Sequence, residues 1–320
     1  STMINRTMVR TRVVQTLFAY YKDGEKTPLT AKKDLLNGFA STYNLYCILL
    51  DLVNEITTLA EEQIGIAINK AKATHTPYVA NYKFVNNLFA QQVFNNHTLR
   101  NYLTNNHLGW DAGLDAIMSI YKDILAAPFY QEYISNENIS YEEDKRIWRK
   151  IFADILPNNT ALQTALEEME LVLDQNYWTQ EIDIILSYVV KTIKRFKQSN
   201  GEDQPLLQMF ESEEEVSFAK DLLRLAIEKH EEYNDLVVSH LKNWDADRIA
   251  YMDKIILQTA LTEILNFPDI ALEVSLNEYL EIAKEYSSEK SHIFINGILD
   301  EILRKYKQEN NLLKAMMLRG

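Results

Sequence analysis

Ile249-Ala250-Tyr251-Met252-Asp253-Lys254-Ile255-Ile256-Leu257-Gln258-Thr259-Ala260-Leu261-Thr262-Glu263-Ile264 is the stretch on which the fold turns. Its apolar positions recur every three or four residues, which predicts a helix over Ala246–Leu265. Phe267-Pro268-Asp269 then forms a turn. Two further helical segments follow, Leu276–Tyr286 and Phe294–Lys307. Leu276, Leu280 and Ala283 share one face of the first. Ile295, Leu299, Ile302 and Tyr306 form the buried stripe of the second, and Ser287 or Ser288 supplies its N-cap. Gly297 inside that helix costs about 1 kcal/mol against Ala, which predicts the close approach of a neighbouring backbone.

Working outward, the same periodicity continues upstream. Helical segments are predicted over Ile4–Tyr21, Ala31–Lys72, Tyr82–Leu103, Leu114–Leu125, Tyr141–Leu156, Thr160–Asp174, Thr179–Phe196 and Glu213–Leu241. Phe129–Tyr133 adds a short local piece. Gln198–Pro205 reads as the clearest linker, and Asn81–Asn106, rich in Asn, Tyr and Phe, as core or interaction surface. Alternating β-branched runs bounded by turns are absent. With only 8 Gly and 6 Pro in 320 residues, an all-α protein of ten to thirteen helices follows. We divide it at 1–212 and 213–320, the first part holding the N-terminal helix and an enlarged helical region.

Charge narrows the partners. Acids outnumber bases, 46 to 33, for a net charge of −13, and such a chain repels nucleic acid on average. Arg6, Arg10, Arg12 and Lys22 nonetheless precede any acid after them up to Asp23, a local island of +4. Arg6 and Arg10, four residues apart, share a helix face; Arg12 points elsewhere. Val9, Val13, Leu17 and Tyr20 mark the apolar face of the same helix.

No Gly-rich phosphate loop and no nucleophile elbow occurs, so no enzyme is indicated. Glu289-Lys290-Ser291-His292 has the Glu-x-x-His spacing of di-iron bundles, but that chemistry needs a second such motif and none is present. No metal or other cofactor is expected. The lone Cys47, in an apolar run, excludes an internal disulfide and fits a reducing, cytoplasmic compartment. No apolar stretch is long enough to span a membrane, the N-terminus has no signal-peptide core, and Ser1-Thr2 reads as a cloning remnant.

The order of motifs at the C-terminus resembles the NusB family of transcription antitermination proteins. The resemblance rests on the Ile249–Ile264 helix with its glutamate, Pro268-Asp269-Ile270, Val274-Ser275-Leu276-Asn277-Glu278, Glu281-Ile282-Ala283-Lys284, and Ser291-His292-Ile293-Phe294-Ile295-Asn296-Gly297-Ile298-Leu299-Asp300. Phe218-Ala219-Lys220-Asp221-Leu222-Leu223 and the arginine-bearing segment Arg10–Tyr20 extend it, so that it covers about 1–22 and 216–307. It implies NusB-like helical bundles with additional helices in the N-terminal half. It also implies binding of boxA-type single-stranded RNA together with the ribosomal protein NusE, within the transcription elongation complex. Arg6, Arg10 and Arg12 would then meet RNA. Phe294 matches a family aromatic that contributes to RNA contact, with a core phenylalanine as the other reading. Asp253 matches an acid facing the ribosomal protein. Lys290 stands where the family has an acid beside Ser-His, which reverses the sign of a partner contact there. The resemblance also allows a homodimer that hides the arginines, or a helical protein–protein scaffold with little RNA binding. It does not explain residues 23–215.

Overall fold

The computed structural model describes residues 2–169, 181–241 and 249–310. Among them the chain forms fifteen α-helices and no strand. In order they are α1 (Arg6–Asp23), α2 (Pro28–Leu50), α3 (Leu52–Thr74), α4 (Leu88–Phe94), α5 (His97–Asn105), α6 (Leu114–Ala126), α7 (Pro128–Ser135) and α8 (Tyr141–Lys150). They continue with α9 (Thr160–Glu168), α10 (Glu181–Arg195), α11 (Glu213–Glu228), α12 (His230–Ser239), α13 (Tyr251–Asn266), α14 (Leu272–Tyr286) and α15 (Glu289–Asn310). None of the helices described is long and apolar enough to cross a membrane.

More helices form than the periodicity predicts, because three long runs divide at polar residues. Ala31–Lys72 divides at Asp51, which keeps helical dihedrals: its amide donates to the Cys47 carbonyl at 3.0 Å and its carbonyl accepts from the Glu55 amide at 3.1 Å, while its carboxylate accepts from Asn54 Nδ2 at 2.9 Å. Tyr82–Leu103 becomes α4 and α5. Asn87 Oδ1 accepts from the Ala90 amide at 2.8 Å and Asn96 Oδ1 from the Leu99 amide at 2.9 Å, so each asparagine starts its own helix. Glu213–Leu241 divides at Lys229. The predicted end of Thr160–Asp174 and the start of Ala246–Leu265 lie partly outside the described residues.

The chain folds into two compact units, Ser1–Phe39 with Gln208–Gly320, and Ala40–Leu207. These limits differ from a cut at 212: the N-terminal helix keeps company with the C-terminal ones. Gln198–Pro205, expected as a linker, forms an exposed 3-10 helix at Gln198–Asp203 that hydrogen bonds tie to the second unit. Gln92 Nε2 donates to the carbonyls of Lys197 and Gly201 at 2.9 and 3.0 Å, and Asn96 Nδ2 to that of Gln204 at 2.9 Å.

In the first unit α13 is the central element. It is buried from Met252 to Ile264 save Lys254 and packs against α1, α11, α12, α14 and α15. Such all-round burial explains why its apolar residues do not confine themselves to one stripe. In the second unit α3 packs on α4 and α6, and α8 on α4, α7 and α10. Its core holds Trp148, with its ring 5.3 Å from that of Phe84 and 6.3 Å from that of Phe152. A turn of π-helix at Ile151–Ile155 follows α8 directly.

Candidate RNA and partner interface

The first unit carries Arg6, Arg10, Arg12, Asp253, Lys290 and Phe294, the residues that the resemblance singled out for binding. Asn5 caps α1, its Oδ1 accepting from the Met8 amide at 2.9 Å. The helix buries Val9, Val13, Val14, Leu17 and Phe18, and with them two of its arginines.

Arg10 is 2% exposed. Its Nε donates to Glu263 Oε1 at 2.7 Å, and Glu263 is itself fully buried in α13. The remaining capacity of that carboxylate is used locally: Tyr279 Oη donates to Oε1 at 2.9 Å and Ser275 Oγ to Oε2. Burial works against the charge of Arg10, but the hydrogen bond and charge of Glu263 outweigh it and raise its pKa. Burial first, then the Glu263 charge, holds the Tyr279 hydroxyl well above its usual range, so it remains a donor. The pair therefore joins α1, α13 and α14 inside the core. Breaking such a pair from one side leaves an uncompensated buried charge.

Arg12 is 8% exposed. It donates to Gln15 Oε1 at 2.9 Å, and its stem lies against Gly38 of α2. Burial pushes its pKa down to about 10, against the opposing influence of Tyr286. Arg6 differs: its side chain is 38% exposed. It pairs with Glu215 at 3.1 Å and lies 4.2 Å from the centre of the Phe218 ring. One arginine of the three thus faces solvent substantially.

The remaining candidates occupy α13 and α15. Asp253 is 5% exposed, and both of its oxygens are taken: Ser287 Oγ donates to Oδ1 at 2.6 Å and Ser291 Oγ to Oδ2 at 2.8 Å. It ties the start of α13 to the connection between α14 and α15. Ser288 Oγ accepts from the Ser291 amide at 3.1 Å, so the expected serine cap is present. Lys290 is exposed in the first turn of α15, and Phe294 one turn later is half-buried. Gly297 departs from expectation. A Cβ there would meet nothing within 4 Å, so no neighbouring backbone requires the glycine. Among the described residues, no group of three or more His, Cys, Asp or Glu side chains could hold a metal ion.

The sequence reading missed the role of Glu263. A lone carboxylate within Ile255–Ile264 was the signal, because a buried acid in an apolar helix demands a cation. Ser275 and Tyr279 carried no such signal, since their importance depends on where α14 crosses α13.

A family model described as "NusB family" matches residues 184–304, which take in most of α10, all of α11 to α14 and most of α15. The chain is 33% identical to the transcription antitermination protein NusB of Salinibacter ruber over 133 residues, 40% of this chain and 83% of that protein. It is 42% identical to the NusB of Geobacter sulfurreducens over 108 residues, 32% of this chain and 78% of the relative. The NusB of Koribacter versatilis is 43% identical over 98 residues, 30% of this chain and 67% of the relative. No solved structure matches the chain.

Proposed function

The chain belongs to the NusB family, and from this premise we propose that it is a transcription antitermination factor. In this reading it binds boxA-type single-stranded RNA together with the ribosomal protein NusE, and supports transcription of ribosomal RNA within the elongation complex in the cytoplasm. The observation that carries the reading is the similarity that spans 83% of an antitermination protein.

Single-stranded RNA is held by cations on its backbone and planar groups against its bases. Arg6 offers a half-exposed cation stacked on Phe218, and Phe294 a half-buried ring. Arg10 and Arg12 support the reading indirectly, by fixing α1 against the unit. Lys290 is the exposed group on α15 that a basic ribosomal protein would meet, so charge complementarity at that point requires an acid on the partner. Asp253 would act there by holding the α14–α15 connection in place.

Fluorescence polarisation of a labelled boxA-like RNA, with and without the ribosomal protein across a salt series, tests this. The full chain binds, the partner tightens binding, and Arg6→Ala weakens it while flattening the salt dependence by about 0.7 per lost phosphate contact. A second reading, a helical scaffold with little RNA affinity, is favoured by the burial of Arg10 and Arg12 in a chain of net charge −13. Absence of RNA binding in both mixtures, with the ribosomal protein still bound, selects that scaffold.

A further inference from the structure

The second unit holds a surface that packing does not explain. Between Glu62 and Asp111 the chain has no Asp or Glu, although acids outnumber bases overall. Lys70, Lys72, Lys83 and Arg100 stand in this interval. Its buried members have structural work: Phe84, Phe89 and Leu99 fill the core, while Asn87 and Asn96 start helices. Phe94 does not share that work. It closes α4 with 51% of its surface exposed. The guanidinium of Arg100, one turn into α5, lies over its ring at 3.7 Å from the centre. Arg100 Nε donates to the Phe94 carbonyl, which fixes the stacked geometry.

Arg100 is itself exposed, and so are Gln91, Asn95, Asn101, Thr104 and Asn105 around it. All five are neutral and carry side-chain hydrogen-bonding groups. Three carboxylates from other segments reach the edge of this face. Glu202 and Asp203 each sit 3.1 Å from His97 on one side. Asp51, half-buried and bonded to Asn54, lies on the side of Arg100.

A protein-docking patch would expose contiguous apolar area. Here the apolar element is one ring under a guanidinium, set among amides. Unpaired bases stack on aromatic rings and on arginine planes, and amides read their edges. Phosphates are drawn to a cation, and the chain from Gln91 to Asn105 carries no acid of its own to repel them. We propose that the exposed face of α4 and α5 binds single-stranded RNA, with a base stacked on the Arg100–Phe94 pair. This contact is separate from the one that would use Arg6, and it gives the enlarged half of the chain a task of its own.

The test uses the full chain, without a partner protein, and a short fluorescein-labelled oligouridylate. Phe94→Ala weakens binding roughly tenfold, the loss of one stacked base. Arg100→Glu weakens it at least as much and lowers the salt slope by about 0.7. A 4-thiouridine version of the same RNA cross-links within residues 91–105. Both substitutions are at exposed positions, and circular dichroism confirms that each variant is folded; should Arg100→Glu not fold, Phe94→Ala and the cross-link map decide. An Arg6→Ala variant read with the same probe separates failure here from failure of the first-unit contact. Unchanged affinity in the folded variants, or cross-links that fall only elsewhere, overturns the proposal, whether or not a variant loses a protein partner.

Discussion

Arg10 and Arg6 stand one helical turn apart, yet their energetics differ completely. Arg10 shares a dry site with Glu263, where a charge without its partner is severely penalised. Arg6 and Glu215 pair where water screens them. Glu263→Ala is therefore expected to destabilise the first unit by about 3–5 kcal/mol, and Arg6→Ala by less than about 1 kcal/mol. Urea denaturation of the two variants checks this; equal losses would show that the buried pair has no special weight. The same contrast governs any binding study, because a loss of RNA affinity in an Arg10 variant reports unfolding as readily as a lost contact.

At the scale of elements, boundaries follow side-chain chemistry more closely than apolar period. Asn87 and Asn96 begin helices because their oxygens satisfy amides that a helix start leaves unpaired. Period alone joined α4 to α5, since the caps fall between apolar residues in phase with both. The serine cap of α15 was legible, because Ser287 and Ser288 precede a clean stripe. Gly297 was misread: helix interiors disfavour glycine, but here the space beside it is open. Gly297→Ala is expected to raise stability by about 1 kcal/mol through helix propensity, measured as a higher urea midpoint. A decrease would contradict the open space beside the glycine.

At the scale of the whole molecule, each compact unit carries tyrosines whose hydroxyls resist ionisation. Burial, aided by Cys47, lifts Tyr102 to about 12 in the second unit. Burial, aided by Glu285 and opposed by Arg12, lifts Tyr286 to about 12 in the first. Unfolded tyrosine releases its proton near pH 10. Above that pH the unfolded chain holds fewer protons than the folded one, so stability is complete below about pH 10 and declines towards about pH 12. Melting followed by circular dichroism at a series of alkaline pH values should show a steadily falling midpoint. A midpoint that does not change across that range would contradict the burial of these hydroxyls. The first unit draws on both ends of the chain, so α1, which lies outside residues 184–304, is nonetheless part of the fold they build.

Composition and period by themselves determined the all-helical class, and the ordered motifs from Phe218 to Asp300 determined the family, because both depend on local spacing along the chain. Tertiary structure alone decided the fate of the charges. Whether an arginine of α1 faces RNA or a carboxylate depends on which helix lies opposite, and the partner of Arg10 is 253 residues away in sequence. The island of +4 that began as a single basic surface is thereby divided into a buried ion pair, a second buried arginine and an exposed remainder. The packing of α1 against α13 and α14 made that division, since the buried Glu263 of α13 compensates the charge of Arg10 where Arg10 enters the core.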